Sequence, residues 1–163
     1  MIMVDNEYYD VDFTPLIGCY YINIMLSEYN ETVPLYKIFL MFPLLFDDDF
    51  LKHIYVKKRT KEFYKLVNSY ADSKELNKFW IEYNIKFSSS RIFCFDSIYF
   101  GLTIGAFELN DEGIKNKRNL YNEIPINVED IKDKIMCIRK IGNAVHDMEV
   151  YELLRIMKVG DKA

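Results

Sequence analysis

Two neighbouring stretches of this chain are apolar on nearly every face: LIGCYYINIMLSEY at 16–29 and VPLYKIFLMFPLLF at 33–46. An ordinary surface helix carries one apolar stripe and a polar back, and neither stretch has the polar back. Helices of this kind must be enclosed by other parts of the chain or lie in an interface. A bilayer is a poor alternative surround, because both stretches fall short of the roughly 20 apolar residues a span needs. The second also carries Lys37, Pro34 and Pro43. The first residues, MIMVDNEYYDVDF, are acidic and lack the basic start of a secretory signal. A soluble, cytoplasmic protein is the reading that follows.

The remaining pattern is mostly helical. Thr14 and Pro15 open the first apolar helix, which runs to about Tyr29. Pro34 opens the second, which Pro43 is expected to interrupt near Phe42. Asp47 is placed as the cap of a short helix ending near Tyr55. After the basic loop VKKRTK, Thr60 caps a helix with Phe63, Tyr64, Val67 and Tyr70 in one stripe. Asp72 and Glu75 have capping-box spacing before Leu76, Phe79, Trp80 and Tyr83. Serines 88–90 offer a cap for a helix to about Ile104, with Ile92, Phe95, Ile98, Tyr99 and Leu102 in one apolar stripe, whose aromatic face near 92–102 is a candidate contact surface. GAFELNDEGIKNK at 105–117 predicts a β-hairpin with Gly113 in the turn. Asn127 caps a helix bearing Val128, Ile131, Ile135 and Ile138, which Gly142 ends as a C′ residue. Asp147 caps the last, with Val150, Tyr151, Leu154 and Met157 inward.

The fold class is therefore mainly α (α+β): one domain over 1–163, with a winged-helix-like core and one small hairpin. Its parts are an N-terminal arm (1–13), the apolar helices (14–55), the winged-helix-like core (60–118) and the C-terminal helices (127–160).

Few residues suggest chemistry. Asp47-Asp48-Asp49 with His53 could hold a divalent ion, but consecutive helical residues point about 100° apart. Acids also favour a helix start for electrostatic reasons. His146-Asp147 has no nucleophile motif beside it, and Cys94 falls in an apolar stripe. Cys19, Cys94 and Cys137 form no CxxC pair. Neither GxxxxGK[ST] nor GxGxxG occurs. The expectation is a chain that is not an enzyme, with no catalytic residue, metal or cofactor.

Nucleic-acid binding is the rival class. The helix before the hairpin offers Arg91 against Asp96 and is otherwise apolar, whereas a groove-reading helix presents several Arg, Lys, Asn or Gln. Net charge is −4, where a free nucleic-acid binder is more often basic. The candidate DNA contacts are two basic patches, Lys57, Lys58 and Arg59 (with Lys61), and Lys115, Lys117 and Arg118. With 13 Tyr and 12 Phe in 163 residues, surplus aromatic surface favours a protein partner. The candidate partner contacts are Tyr20, Tyr21, Ile24, Tyr36, Phe39, Phe42, Phe93 and Tyr99.

Three segments together resemble a family: YKIFLMFPLLFDDDFLKHI (36–54), SRIFCFDSIYFGLTIGAFELNDEGIK (90–115) and IRKIGNAVHDMEVYELLRIMKVG (138–160). Their order and spacing are similar to the middle component of bacterial three-component ABC (ABC-3C) systems, which includes the small subunit of Lamassu-type anti-phage defence. The resemblance covers about residues 16–160. It implies a non-catalytic assembly or regulatory subunit between two partners. One is a coiled-coil ATPase related to the structural-maintenance-of-chromosomes (SMC) and double-strand-break-repair ATPases. The other is an effector, often a nuclease. DNA would be met as part of that complex. The alternatives are a small winged-helix DNA-binding regulator and an antitoxin.

Overall fold

A computed structural model describes residues 14–57, 59–123 and 128–159. The N-terminal arm, Lys58 and the Asn127 cap lie outside the described residues. Among the described residues there are eight α-helices and one two-stranded hairpin, and no helix is long and apolar enough to cross a membrane.

Helix α1 (Pro15–Met25) starts where Thr14 Oγ1 accepts the Ile17 N–H and Pro15 occupies the first turn. Every residue from Gly18 to Met25 is buried. Its all-round apolar surface is matched by neighbours on several sides: α2 (Leu35–Leu45), α6 (Arg91–Thr103) and α7 (Val128–Val145). α2 in turn packs on α3 (Asp48–Val56), α5 (Leu76–Ser89) and α8 (Val150–Met157). α4 (Phe63–Ser73) closes against α3, α5 and α7. One core runs from Cys19 to Met157.

Pro43 does not stop α2, which continues to Leu45. The proline forgoes one hydrogen bond, to the Phe39 carbonyl one turn back. Burial of Leu44 and Leu45 keeps the last turn in place, and the Tyr83 hydroxyl donates to the Leu40 carbonyl at 2.7 Å. Asp47 caps α3 as expected, its Oδ1 accepting the Phe50 N–H at 2.9 Å. Other starts differ. α4 opens at Glu62 rather than Thr60, and Asp72 falls in the last turn of α4. α5 runs on through Ser88 and Ser89, and Ser90, in helical conformation, alone separates it from α6. α8 begins two residues later than predicted, because Glu149 and Glu152 form a reciprocal capping box.

The hairpin pairs β1 (Phe107–Asn110) with β2 (Gly113–Asn116), Phe107 opposite Asn116. Asn110 Oδ1 accepts the N–H groups of Glu112 and Gly113 and so folds the turn. Gly113 lies just past the turn at φ +142°, where a Cβ would stand 2.1 Å from the Val33 carbonyl oxygen. Only glycine lets Val33 come this near. Val33 then bridges Ile114 in antiparallel fashion, with N–H···O distances of 2.7 and 2.9 Å.

Asn23 ties the hairpin to α1 from inside the core. Its Nδ2 donates to Asn116 Oδ1 (3.0 Å) and the Arg118 carbonyl (2.8 Å), and its Oδ1 accepts the Leu120 N–H at 2.9 Å. Substituting Asn23→Leu leaves the buried Leu120 N–H without its acceptor, while the part-buried Asn116 amide and Arg118 carbonyl turn to water. The expected loss is about 2–4 kcal/mol in urea unfolding, from about 1–3 kcal/mol for the one buried group left unpaired and about 1 kcal/mol for the hydrogen bonds given up.

Candidate functional site

Enclosure of α1 and α2 overturns half of the predicted partner surface. Tyr20, Tyr21, Ile24 and Phe42 are buried in the chain's own core and so are corrected from contact residues to packing residues. An apolar sequence alone does not distinguish a neighbour in the same chain from one in another. Phe93 also turns inward, its ring 5.1 Å from those of both Phe42 and Phe46. Tyr36 and Tyr99 are exposed, and Phe39 is half-buried with its ring 4.6 Å from that of Phe95.

The apolar stripe of α6 is divided between the two sides of the helix. Ile92, Phe95 and Tyr99 are 75%, 56% and 72% exposed. The buried face is Cys94, Ser97, Ile98 and Gly101 instead. Small residues at 94, 97 and 101 let α1 come close, and that spacing was the sequence signal for the inner face. On α5, Ile81 and Ile85 are exposed in the same manner. Tyr36 meets Phe87 at 6.5 Å and Phe39 meets Phe95, so α2 borders this surface. The outcome is an exposed apolar row on α6 at helical spacing, edged by α2, with two further exposed isoleucines on the preceding helix α5. Scattered exposed apolar residues need no explanation, but a contiguous group of large ones marks an interaction site.

The two basic patches have different surroundings. Lys57 and Arg59 are exposed beyond α3. Past β2, Lys117 lies 3.7 Å from Glu108, and Arg118 pairs with Glu123 while donating to the Ile104 carbonyl at 2.9 Å. Two of the three hairpin cations are therefore already matched, leaving Lys115 exposed.

The acidic triad is split among three helices. Asp47 bonds Lys86 of α5 (2.8 Å), Asp48 bonds Lys134 of α7 (2.9 Å) and Asp49 bonds Lys74 at the end of α4 (3.0 Å). Among the described residues no group of acids, histidines and cysteines converges as a metal site would. Burial pushes the Cys19 thiol up to about 12 and the Cys137 thiol to about 11, and raises Cys94 further still. Such thiols are not thiolate nucleophiles near neutrality. His146 contacts Asp147 at 2.7 Å, and its carbonyl accepts the Lys37 ammonium at 2.8 Å.

His53 sits 2.7 Å from Ser69 Oγ. Desolvation first, then the charge of Lys57, lowers its pKa from 6.5. The unfolded chain thus binds this proton more readily than the folded one. Stability is expected to fall as pH drops below about 6.5, and His53→Gln should flatten that limb in urea titrations between pH 7.5 and 5.

The family model described as ABC-three component (ABC-3C) system Middle Component 3 matches residues 3–160. The chain belongs to this family. No curated protein and no solved structure matches it. A middle component of a three-component system works with partner proteins.

Proposed function

We propose that this middle component is a non-catalytic assembly subunit of a Lamassu-type anti-phage defence complex, joining an SMC-like coiled-coil ATPase to an effector nuclease. The exposed row Ile92, Phe95 and Tyr99 carries this reading, with Phe39 at its edge and exposed Ile81 and Ile85 on the preceding helix. Such a row invites aggregation unless a partner covers it. Family membership supplies the expectation of partners. The subunit holds the effector against the ATPase until the ATPase meets foreign DNA.

The order α1, Val33 bridge, α2, then α6 and hairpin supports a winged-helix-like core, with α3 to α5 inserted. That order also favours the second reading, a winged-helix regulator. The outward face of α6 argues for protein over DNA, since it offers Ile92, Phe95 and Tyr99 where a recognition helix offers polar side chains.

Co-expression with the neighbouring open reading frames, followed by affinity purification and mass measurement, tests the proposal. The expected result is a complex of fixed stoichiometry containing an ATPase and an effector. A chain that stays monomeric beside both, and instead binds one duplex DNA sequence selectively, overturns it.

A further inference from the structure

Beside Lys61, α7 and the 120–122 turn form an open groove of about 620 Å³, lined by Lys61, Tyr121, Lys132, Arg139, Lys140 and Asn143 over an apolar floor. Four cations line it, and no carboxylate does among the described residues, in a chain whose net charge is −4. Neither Lys61, Lys132 nor Arg139 is in an ion pair among the described residues. The Arg139 guanidinium lies 5.2 Å from the centre of the Tyr121 ring, and its Nε has no acceptor among the described residues. Lys140 is fixed by donating to the carbonyls of Lys57 and Ile54, and partial burial lowers its pKa. Unmatched positive charge around a stacked ring calls for an anion with a flat apolar part. The volume falls within the range of small-molecule sites.

From this juxtaposition of Lys61, Lys132, Arg139 and Lys140 with the Tyr121 ring, we infer that the groove binds a phosphate-bearing nucleotide unit, either a free nucleotide or the end of a single strand. The lysines and the guanidinium take the phosphate, and a base has Tyr121, the apolar floor and the Asn143 amide to lie against. The site is separate from the exposed apolar row of α6, so its failure leaves the assembly proposal standing.

The test uses the full chain at about 50 mM salt, where phosphate contacts are least screened. One probe is N-methylanthraniloyl-ATP; the other is a 5′-phosphorylated thymidine oligonucleotide labelled at its 3′ end. A Glu-rich peptide serves as the third arm. Binding of at least one nucleotide probe with Kd below about 100 µM is expected, and the probe that binds tighter identifies the source. K61Q/K132Q, at two exposed positions, should weaken it about tenfold and flatten its salt dependence. The inference is overturned if neither nucleotide probe binds below about 1 mM, if K61Q/K132Q binds as the wild type does, or if the acidic peptide binds tighter than both.

Discussion

Phe95→Asp/Tyr99→Asp is expected to fold as the wild type does and to lose its partners. Both side chains are more than half exposed, so each acid stays hydrated in the free chain, where surface changes are usually within about 0.5 kcal/mol. The packing given up is chiefly the 4.6 Å contact of Phe95 with Phe39, worth about 0.5–1.5 kcal/mol. In the complex the cost is of another order. An aromatic anchor at an interface centre is worth about 2 kcal/mol or more, and a buried, unpaired carboxylate adds its own desolvation cost. The double variant should therefore bind at least about 1000-fold more weakly, at about 1.4 kcal/mol per tenfold. The measurement is co-purification at wild-type stoichiometry alongside circular dichroism and a thermal midpoint. A correctly folded variant that still brings down both partners in full amount would exclude this face. Tyr21→Asp cannot serve in its place: Tyr21 is in the core, so its effect on assembly would follow from unfolding.

Local chemistry was the most legible part of this protein. Thr14, Pro15 and Asp47 start helices where their side chains suggest, because capping depends on a few adjacent atoms. The hairpin follows from Asn110 and Gly113 for the same reason. The glutamate-made start of α8 was missed, since Glu149 is less distinctive than serine or aspartate at a cap, and α4 starts at Glu62 with no side-chain cap to signal it. What a helix packs against was the least legible. In α6 one apolar stripe gives no sign of which part turns inward: Ile98 goes in with the small residues Cys94, Ser97 and Gly101, while Ile92, Phe95 and Tyr99 stay out. Close packing prefers the side that lets backbones approach, and volume alone does not reveal it. The same ambiguity sent Tyr20, Tyr21, Ile24 and Phe42 to an imagined partner when the rest of the chain already surrounds them.

Gly142 shows how far that principle reaches, and Gly142→Val should be among the most destabilising single changes. The residue was expected to end its helix; it lies inside α7, which continues to Val145. A Cβ built there would be 2.1 Å from the carbonyl oxygen of Met25. That neighbour is backbone of α1, so no rotamer change relieves the clash, and α1 and α7 must separate. The Tyr29 hydroxyl donates to the Gly142 carbonyl at 3.1 Å in the same crossing, and separation breaks this bond too. Gly→Ala would normally gain up to about 1 kcal/mol of helix propensity. Here overpacking of about 1–3 kcal/mol opposes it, so Gly142→Ala should already be net destabilising. Valine adds two methyl groups to the same clash, and an expected loss beyond about 3 kcal/mol would consume much of the stability of a domain this size. Urea unfolding of both variants measures the effect, and a midpoint for Gly142→Ala at or above the wild type would show that the two helices are not pressed together there. Because α7 also carries Lys132, Arg139 and Lys140, moving it off α1 should disturb the basic groove before the apolar row of α6. Partial unfolding in Gly142→Ala should then weaken nucleotide binding at urea concentrations where partner binding persists.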